Sequence, residues 1–338
     1  MSYGYKASAE QFGPRELIDY SILAESLGLD TVAISDHFQP WRHRGGHAPA
    51  TFACLGAIGE RTSRALLGTS VLTPTMRYHP SIVAQNFATL ACLNPGRLFL
   101  GVGTGEALNE TPATAAAWPS AKERRTMLRE ALELIKRLWS EERVTFEGTY
   151  FRTDRATIYD KPSVPIPIYV AASGPLAARL AGRLGDGYIA TSGKDAQLYR
   201  DLLGALGEGA QSAGRDPDEI DRLIEIKLSY DADAAYAREA CDFWAPLALT
   251  PEEKSGIDDA VEMEAAADEI IDRAHSRFIV TDDPDEAVER IAPYVEVGFN
   301  QLVFHGPGHD QERFLRGLCA DVLPRLHDRF GRGRGAEQ

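Results

Sequence analysis

Short β-type segments alternate with helical segments along most of the chain, and this alternation limits the possible folds more than any other feature. Eight runs rich in β-branched residues are each followed by a stretch of helical periodicity, within a chain of 338 residues. The runs cover 4–8, 31–35, 65–70, 98–103, 167–172, 187–191, 224–229 and 301–305. Such repetition predicts an α/β fold of the (β/α)8 TIM-barrel type, with a doubly wound open sheet as the alternative.

Helix starts and connection lengths refine this expectation. Prolines that suit a first helical turn occur at Pro14, Pro80 and Pro175, and 122–140 is the clearest amphipathic segment. The two longest connections, 106–165 and 231–278, are predicted to be insertions at the C-terminal mouth of the barrel. Residues 1–330 are therefore interpreted as a single catalytic domain, and 331–338 as a flexible tail of small and polar residues.

Composition excludes several classes of partner. The net charge of -14 argues against nucleic acid and against an acidic membrane surface, although a local basic pocket remains compatible with it. No basic start with an apolar stretch and no run of about 18 apolar residues is present, which favours a soluble, cytoplasmic protein. The four cysteines form no CxxC pair and are interpreted as reduced core residues. His43 and His47 are weak metal-ligand candidates, so no metal site is predicted.

Polar and charged residues follow the ends of the predicted strands. In a barrel, the residues just after the strands face one mouth, where barrel enzymes hold their active sites. This rule brings together candidates that are far apart in the chain: Glu10, Asp36, His37, Trp41, Ser70, Val71, Thr104, Glu106, Asn109, Ala172, Ser173, Gly174, Thr191, Lys194, Lys254 and His305.

His37 is the best candidate for proton transfer near neutral pH, with Asp36 as an adjacent acid and Trp41 as an apolar wall. A loop histidine that caps a backbone carbonyl is the alternative. Glu10 and Glu106 are further carboxyls, one of which could act as a general acid if burial raised its pKa. Each of them, taken singly, is also compatible with a solvated or helix-capping role.

Two glycine-containing turns offer backbone to a ligand. The segment 101–105 permits close approach, but it is not GxGxxG and gives only weak support for a dinucleotide site. The turn 171–175 offers a helix N-terminus to an anion, and a plain strand-to-helix turn explains it equally well. If their loops converge, Lys194, Lys254 and Arg277 would form a phosphate clamp inside an acidic protein.

A dispersed set of motifs resembles the coenzyme F420-dependent glucose-6-phosphate dehydrogenases of the luciferase-like superfamily. The similarity extends from Gly4 to about Leu326, which makes it far more specific than any single motif. The motifs are GYKASAEQF at 4–12, SDHFQPWRH with GGHAP at 35–49, GTSVLTPT at 68–75, LGVGTGEALNE at 100–110, IYD at 158–160, TSGK at 191–194, IEIK at 224–227, FWAPL at 243–247 and LVFHGPGHDQ at 302–311.

This resemblance implies a barrel that is usually dimeric and that binds F420 rather than NAD or NADP. It implies that His37 takes the proton from the sugar C1 hydroxyl, that Glu106 protonates the deazaflavin at N1, and that Trp41 and Glu10 flank the reacting ring. It also implies a non-proline cis peptide at Ser70–Val71. The matching cofactor-side positions are Asp36, Ser70, Val71, Thr73, Thr104, Asn109, Ala172, Ser173 and Gly174, and the matching phosphate-side positions are Thr191, Lys194, Lys254 and Arg277.

The implied reaction passes a hydride from C1 of glucose 6-phosphate, or a related hexose 6-phosphate, to C5 of F420 and yields the 6-phospholactone. The alternatives are a luciferase-like FMN or F420 enzyme for a non-sugar substrate, and a non-catalytic barrel that binds deazaflavin. Departures from the family pattern fall at the substrate side, which leaves the preferred sugar open. They are Ser255-Gly256 after Lys254, Ala260 in place of proline, a segment 268–278 shorter by about one residue, and Phe278 in place of tryptophan.

Overall fold

The computed structural model describes residues 1–331 and contains a closed barrel of parallel strands. Strands β1 to β4, β7 to β9 and β11 follow one another around the barrel, which closes because β9 pairs with β8 on one side and with β11 on the other. The strands are β1 (Ser2–Ala7), β2 (Thr31–Ile34), β3 (Leu66–Thr69), β4 (Leu98–Val102), β5 (Val144–Glu147), β6 (Arg152–Ala156), β7 (Ile168–Ala171), β8 (Gly187–Thr191), β9 (Asp221–Tyr230), β10 (Ile279–Thr281) and β11 (Gln301–His305).

Helices connect successive barrel strands. The α-helices are α1 (Pro14–Ser26), α2 (Thr51–Arg61), α3 (Pro80–Leu93), α4 (Ala107–Thr114), α5 (Ala121–Ser140), α6 (Pro175–Leu184), α7 (Ala196–Ser212), α8 (Ala234–Glu239), α9 (Ala260–Asp268), α10 (Pro284–Val297), α11 (Gln311–Gly317) and α12 (Leu323–Phe330). Short 3₁₀ turns cover Pro217–Glu219, Asp242–Ala248 and Ile271–Arg277, and a π-turn covers Leu318–Val322.

The barrel predicted from the alternation of elements is confirmed, and the open-sheet alternative is wrong because β8 and β9 are paired. All eight predicted runs correspond to barrel strands, with β8 and β11 bounded as predicted. The sequence reading missed the antiparallel β5–β6 hairpin and the three-residue β10, which extends the C-terminal end of β9. From residue 332 onward, the predicted tail lies outside the described part of the chain.

Large side chains fill the barrel interior below the mouth. Ala33, Phe99, Tyr169, Ile189, Leu223 and Val303 form a separate buried cluster contributed by six different barrel strands. Gly68 in β3 leaves room for this cluster, because a Cβ at that position would lie 2.4 Å from the Phe99 ring. The interior is thus a packed floor, and the ligand space within the barrel lies above it.

The two long connections differ in position. The 231–278 connection has its own apolar cluster, which includes Trp244 and Met263 and also contains Trp41 and Leu108 from other mouth loops, so this insertion lies at the mouth as predicted. Of the 106–165 connection, α4 also lies at the mouth. The β5–β6 hairpin instead packs along α5, where the backbone amides at the hairpin turn donate hydrogen bonds to Glu130.

The cysteines do not all lie in the core. Cys54 and Cys241 are buried and Cys319 is half-buried, whereas Cys92 is exposed. The prediction of four core cysteines is wrong for Cys92 because it lies near the end of α3, with its thiol directed at the Lys161 carbonyl. Within residues 1–331, no helix is both long and apolar enough to span a bilayer.

Candidate active site

A cavity of about 450 Å³ opens at the C-terminal ends of the barrel strands. This volume lies within the usual range of about 300 to 1,000 Å³ for small-molecule sites. Gly174 and Lys194 do not line it, although both belong to neighbouring loops of the same mouth. The predicted site residues that line it are Glu10, Asp36, His37, Trp41, Ser70, Val71, Thr73, Thr104, Glu106, Asn109, Ala172, Ser173, Thr191, Lys254, Arg277 and His305.

His37 is paired with an acid, but the acid is not its sequence neighbour. Nε2 of His37 lies 3.1 Å from Oε1 of Glu10, which follows β1. The Asp36 carboxylate instead accepts hydrogen bonds from Arg77 at 2.7 Å and from the Tyr78 hydroxyl at 3.2 Å. The expectation that Asp36 orients His37 is therefore wrong, since consecutive residues at the end of β2 point to different sides.

The other imidazole nitrogen also has partners. Nδ1 of His37 lies 3.1 Å from the Gln39 carbonyl and 3.1 Å from the amide nitrogen of Asn109. The carbonyl can accept a hydrogen bond from Nδ1 when Nδ1 is protonated, and the amide can donate one to Nδ1 when it is not. The ring is therefore held in either tautomer. The Asn109 side-chain oxygen accepts the backbone amides of Phe38 and Gln39 and thereby fixes the loop itself.

Two carboxyls in this cavity have pKa values displaced in opposite directions. Burial alone would raise the pKa of Glu10, but the electrostatic interactions with His37 and Lys6 and a 2.5 Å hydrogen bond from Ser35 outweigh it and lower that pKa. Burial raises the pKa of Glu106, and the nearby positive charges only partly oppose it. The Glu106 side chain retains accessible surface because it projects into the open cavity, yet protein atoms surround it. Glu10 is thus suited to remain a carboxylate, and Glu106 keeps its proton to a higher pH than an ordinary glutamate.

A buried ion network joins α4 to the end of β2. Arg77 donates from its backbone amide and from Nε to Glu110, at 3.0 and 2.9 Å, while its terminal nitrogen binds Asp36. The positive φ of Gly105 turns the chain into α4, and Glu106 is the N-cap residue without a capping hydrogen bond from its side chain. The network therefore positions Glu106 and Asn109 opposite His37 while leaving the Glu106 carboxyl free.

The Ser70–Val71 peptide is cis, as the resemblance implies. Its Ser70 carbonyl accepts a hydrogen bond from the Lys6 side chain. Gly103 lies opposite, and a Cβ there would be 2.9 Å from a Val71 methyl. Together with Ala171 and Ile189, Val71 forms an apolar part of the cavity lining.

Cations predominate on the opposite side of the cavity. The Lys254 ammonium lies 4.7 Å from the centre of the Trp41 ring, and burial lowers the pKa of Lys254. Nε of Arg277 is buried with no hydrogen-bond partner among residues 1–331. Lys194 is exposed on the loop after β8. The preceding residue, Gly193, lies near Arg277, because a Cβ built on Gly193 would be 3.7 Å from the Arg277 carbonyl oxygen. The loops with the predicted phosphate-side residues thus converge.

Sequence reasoning missed Lys6, Glu225 and Lys227, which also line the cavity. Lys6 and Glu225 form an ion pair of 3.1 Å, and Glu225 lies 3.6 Å from Nδ1 of His305, a residue that the strand-end rule did identify. The missed residues alternate with apolar residues inside β1 and β9 and therefore face the barrel interior. This alternation, visible in IEIK, is the signal that could have found them.

The positions that depart from the family pattern lie in the 231–278 connection that carries Lys254 and Arg277. Ser255 and Gly256 are exposed, and Gly256 has a φ of +85°, a backbone conformation that suits glycine. Ala260 is the first residue of α9 and is buried. Phe278 is buried with its ring centre 5.5 Å from that of His305.

A sequence profile of the luciferase-like monooxygenase family matches residues 1–301. The chain belongs to this family. It is 62% identical to the "F420-dependent glucose-6-phosphate dehydrogenase" of Intrasporangium calvum, over 96% of this chain and 99% of the relative. It is 59% identical to the protein of the same name in Nakamurella multipartita, over 98% of each chain. The resemblance drawn from the sequence motifs is thereby confirmed.

A solved structure of the family gives the same fold. An F420-dependent secondary alcohol dehydrogenase, determined with an F420-acetone adduct, superposes with a TM-score of 0.89 at 33% identity. The superposition covers 95% of this chain and 98% of that one. The luciferase-like barrel of this chain is therefore shared with an F420-dependent secondary alcohol dehydrogenase.

Proposed function

We propose that the chain is an F420-dependent sugar-6-phosphate dehydrogenase that oxidises glucose 6-phosphate, or a related hexose 6-phosphate, to the 6-phospholactone. The main support is that one cavity combines the His37–Glu10 pair with cations at Lys254 and Arg277. The former suits removal of a hydroxyl proton and the latter suits binding of a phosphate dianion. The names of the relatives support the same activity.

The residues of the cavity fit a deazaflavin. A planar ring system needs an apolar slot with a few polar groups at its edge, and Val71, Ala171 and Ile189 supply the slot. Thr73, Thr104 and Asn109 supply hydroxyl and amide groups on the same side. When bound there, F420 supplies the hydride acceptor for the sugar C1. The remaining cofactor-side positions proposed from the sequence are Asp36, Ser70, Ala172, Ser173 and Gly174.

His37 and Glu10 would handle the proton of the sugar hydroxyl. With Nδ1–H donated to the Gln39 carbonyl, Nε2 keeps its lone pair and can accept the proton of the C1 hydroxyl. The imidazolium that results lies 3.1 Å from the Glu10 carboxylate, which stabilises it. Glu106 would hold a proton for the cofactor side, because burial raises its pKa. Trp41 lines the cavity with its ring centre 5.8 Å from that of His37.

Thr191, Lys194, Lys254 and Arg277 would bind the phosphate group. The last two line the cavity without an acidic partner at ion-pair distance in residues 1–331. An uncompensated cation in a partly buried site is stabilised by an anionic ligand. A phosphate dianion at this end would place the sugar between the cations and His37.

A second candidate is oxidation of a non-sugar alcohol, as in the secondary alcohol dehydrogenase with the same fold. The cations at Lys254 and Arg277 argue against an apolar alcohol, because it would leave them without an anion. A barrel that only binds deazaflavin is the third candidate, and the opposite pKa displacements of Glu10 and Glu106 argue against it.

The test is to follow the absorbance of oxidised F420 with the purified protein and a panel of substrates. We expect rapid loss of absorbance with glucose 6-phosphate or another hexose 6-phosphate, and slow loss with free glucose. Equal rates with 2-propanol or free glucose would support the non-sugar candidate. Tight F420 binding without loss of absorbance with any compound would support the binding barrel, and FMN in place of F420 tests the cofactor.

We also propose that the protein is a cytoplasmic homodimer with one catalytic domain over residues 1–330. The dimer follows from the resemblance to dimeric relatives, and the location follows from the intracellular nature of sugar phosphates. Light scattering during size-exclusion chromatography tests the dimer. Limited proteolysis that leaves one resistant fragment supports the single domain.

A further inference from the structure

Lys227 lies on the inner face of β9 and extends into the cavity. The β8 strand ends beside Glu225, and the next residue, Ser192, accepts the backbone amide of Lys227 through its hydroxyl at 2.9 Å. Lys227 is therefore held at the point where the loop after β8 begins. The same loop carries Thr191 and Lys194.

The Lys227 side chain is buried but has no anionic partner. The residue is only 4% exposed, yet its ammonium has neither an ion pair nor a hydrogen bond to any residue in 1–331. Its acidic neighbour Glu225 is engaged by Lys6 at 3.1 Å. A buried ammonium that faces a cavity without an acceptor needs a ligand to supply one.

The surroundings of Lys227 are dominated by cations. Lys6 on β1, Lys194 on the β8 loop and Arg277 before β10 all disfavour its charged form, while Glu225 on its own strand favours it. His305 on β11 is the remaining titratable group that interacts with it. Burial is the largest cause, and it lowers the pKa of Lys227 to about 8. Lys227 therefore loses its proton at a lower pH than an ordinary lysine.

We infer that Lys227 is a further substrate-binding residue, which donates a hydrogen bond to the phosphoryl group of the sugar phosphate from the floor of the cavity. This inference rests on the proposed function and adds a residue to the four phosphate-side positions. A dianion placed among Lys194, Lys227 and Arg277 is bound by three donors that have no acceptor from residues 1–331. Glucose without a phosphate gains nothing from this contact.

Binding at Lys227 also couples substrate affinity to pH. A bound dianion favours the ammonium and raises the pKa of Lys227 above its free value of about 8. Between these two values the complex holds more protons than the free enzyme, so binding takes up a proton and weakens as pH rises. The phosphate group itself is already a dianion there, because its second pKa is about 6.

The test compares Lys227→Met and Lys227→Arg with the wild type. The Met variant should raise the KM for glucose 6-phosphate and the Kd for inorganic phosphate by about 10- to 100-fold, and the Arg variant should restore much of the loss. The KM for free glucose and the Kd for F420 should stay within about twofold, since neither ligand meets Lys227 in this assignment. Lys136→Met is the matched control. Burial also lowers the pKa of Lys136, but this lysine does not line the cavity.

Calorimetry of glucose 6-phosphate binding at pH 8.5 in two buffers of different ionisation enthalpy gives the proton count. The wild type should take up more protons than Lys227→Met. An unchanged phosphate Kd, or an equal proton count, in a folded Met variant overturns the assignment of Lys227. Equal losses for glucose and glucose 6-phosphate overturn the phosphoryl contact. A wild type that turns over no sugar phosphate overturns the proposed function instead.

Discussion

The two sides of the cavity are built in opposite ways. On the side of β1 to β4, Glu10 is paired with His37, and Arg77 is paired with both Asp36 and Glu110, while the Glu106 carboxyl has no ion-pair partner in residues 1–331. On the side of β8 to β10, Lys227 and Arg277 have no acidic partner within ion-pair distance in residues 1–331. We refer to these as the paired side and the cationic side.

This difference separates preorganisation from ligand dependence. The paired side has its hydrogen bonds before any substrate arrives, as expected where the geometry of a proton transfer must be fixed. The cationic side leaves donors unused and so favours whatever anion enters. Substitutions on the paired side should therefore change kcat or stability, and those on the cationic side should change KM.

The largest expected effect is that of His37→Asn. Loss of the base should lower kcat by about 10²- to 10⁴-fold, because proton removal from the hydroxyl loses its positioned acceptor. The Kd for F420 should change little. His43→Asn is the matched control, since His43 is exposed on the same loop and does not line the cavity. Normal turnover by His37→Asn would show that His37 is not the base that accepts the hydroxyl proton.

The next effect is on stability. Arg77→Met leaves the buried carboxylates of Asp36 and Glu110 uncompensated, which should cost about 3 to 5 kcal/mol of unfolding free energy. Arg61→Met breaks a surface pair with Asp19 and should cost less than about 1 kcal/mol. Urea denaturation followed by circular dichroism measures both. Similar midpoints for the two variants would contradict the view that the Arg77 network holds α4 in place.

Arg277→Met, on the cationic side, should impair substrate binding without the loss of stability expected for Arg77→Met. Its KM for glucose 6-phosphate should rise about 10- to 100-fold, while the KM for free glucose stays nearly constant. Its melting temperature without substrate should not fall, because removal of one cation relieves repulsion with Lys227. Steady-state kinetics and thermal melts measure the two. A lower melting temperature with an unchanged KM would show that Arg277 stabilises the fold and does not bind the substrate, which contradicts its place on the cationic side.

The smallest expected effect is that of Glu106→Gln on stability at different pH values. The pKa of Glu106 is raised above 4.5 in the folded protein, so deprotonation favours the unfolded chain as pH rises past that value. A neutral amide at this position would lack this cost. The variant should therefore melt slightly higher than the wild type at pH 7, and the gap should shrink below about pH 4.5. A gap that is constant with pH would show that the carboxyl is not destabilised by its surroundings.

The sequence predicted the barrel well because eight apolar runs carry a strong period. It failed where that signal is weak. Strand β5 has only four residues, with Val144 and Phe146 on its inner face; β6 is mostly polar and exposed, and β10 has only three residues. Their pairing depends on the neighbouring elements rather than on their own residues.

For the site, the strand-end rule located His37, Glu106 and Lys254, whose roles remain predictions. It assigned the wrong acid to His37, because side chains of adjacent residues diverge and Glu10 comes from a different strand. It also missed Lys6 and Lys227, because a charge inside an apolar strand looks like an exposed position until the barrel closes around it. The alternation in IEIK marks Glu225 and Lys227 as one face of a strand. Whether that face lies inside the barrel depends on pairing with strands that are distant in the sequence.

The connection 231–278 bears on how new specificities arise in such barrels. It is stabilised by its own apolar cluster and is attached to the β2 loop through ion pairs such as that of Arg44 with Glu264. It supplies Lys254 and Arg277 to the cationic side, but none of its residues belongs to the ion pairs of the paired side. Such a segment can be exchanged between relatives as a cassette, provided that Trp41 and Leu108 still fit beneath it. Grafting it from another member of the family offers a route to redirect this barrel toward a different alcohol without rebuilding its chemistry.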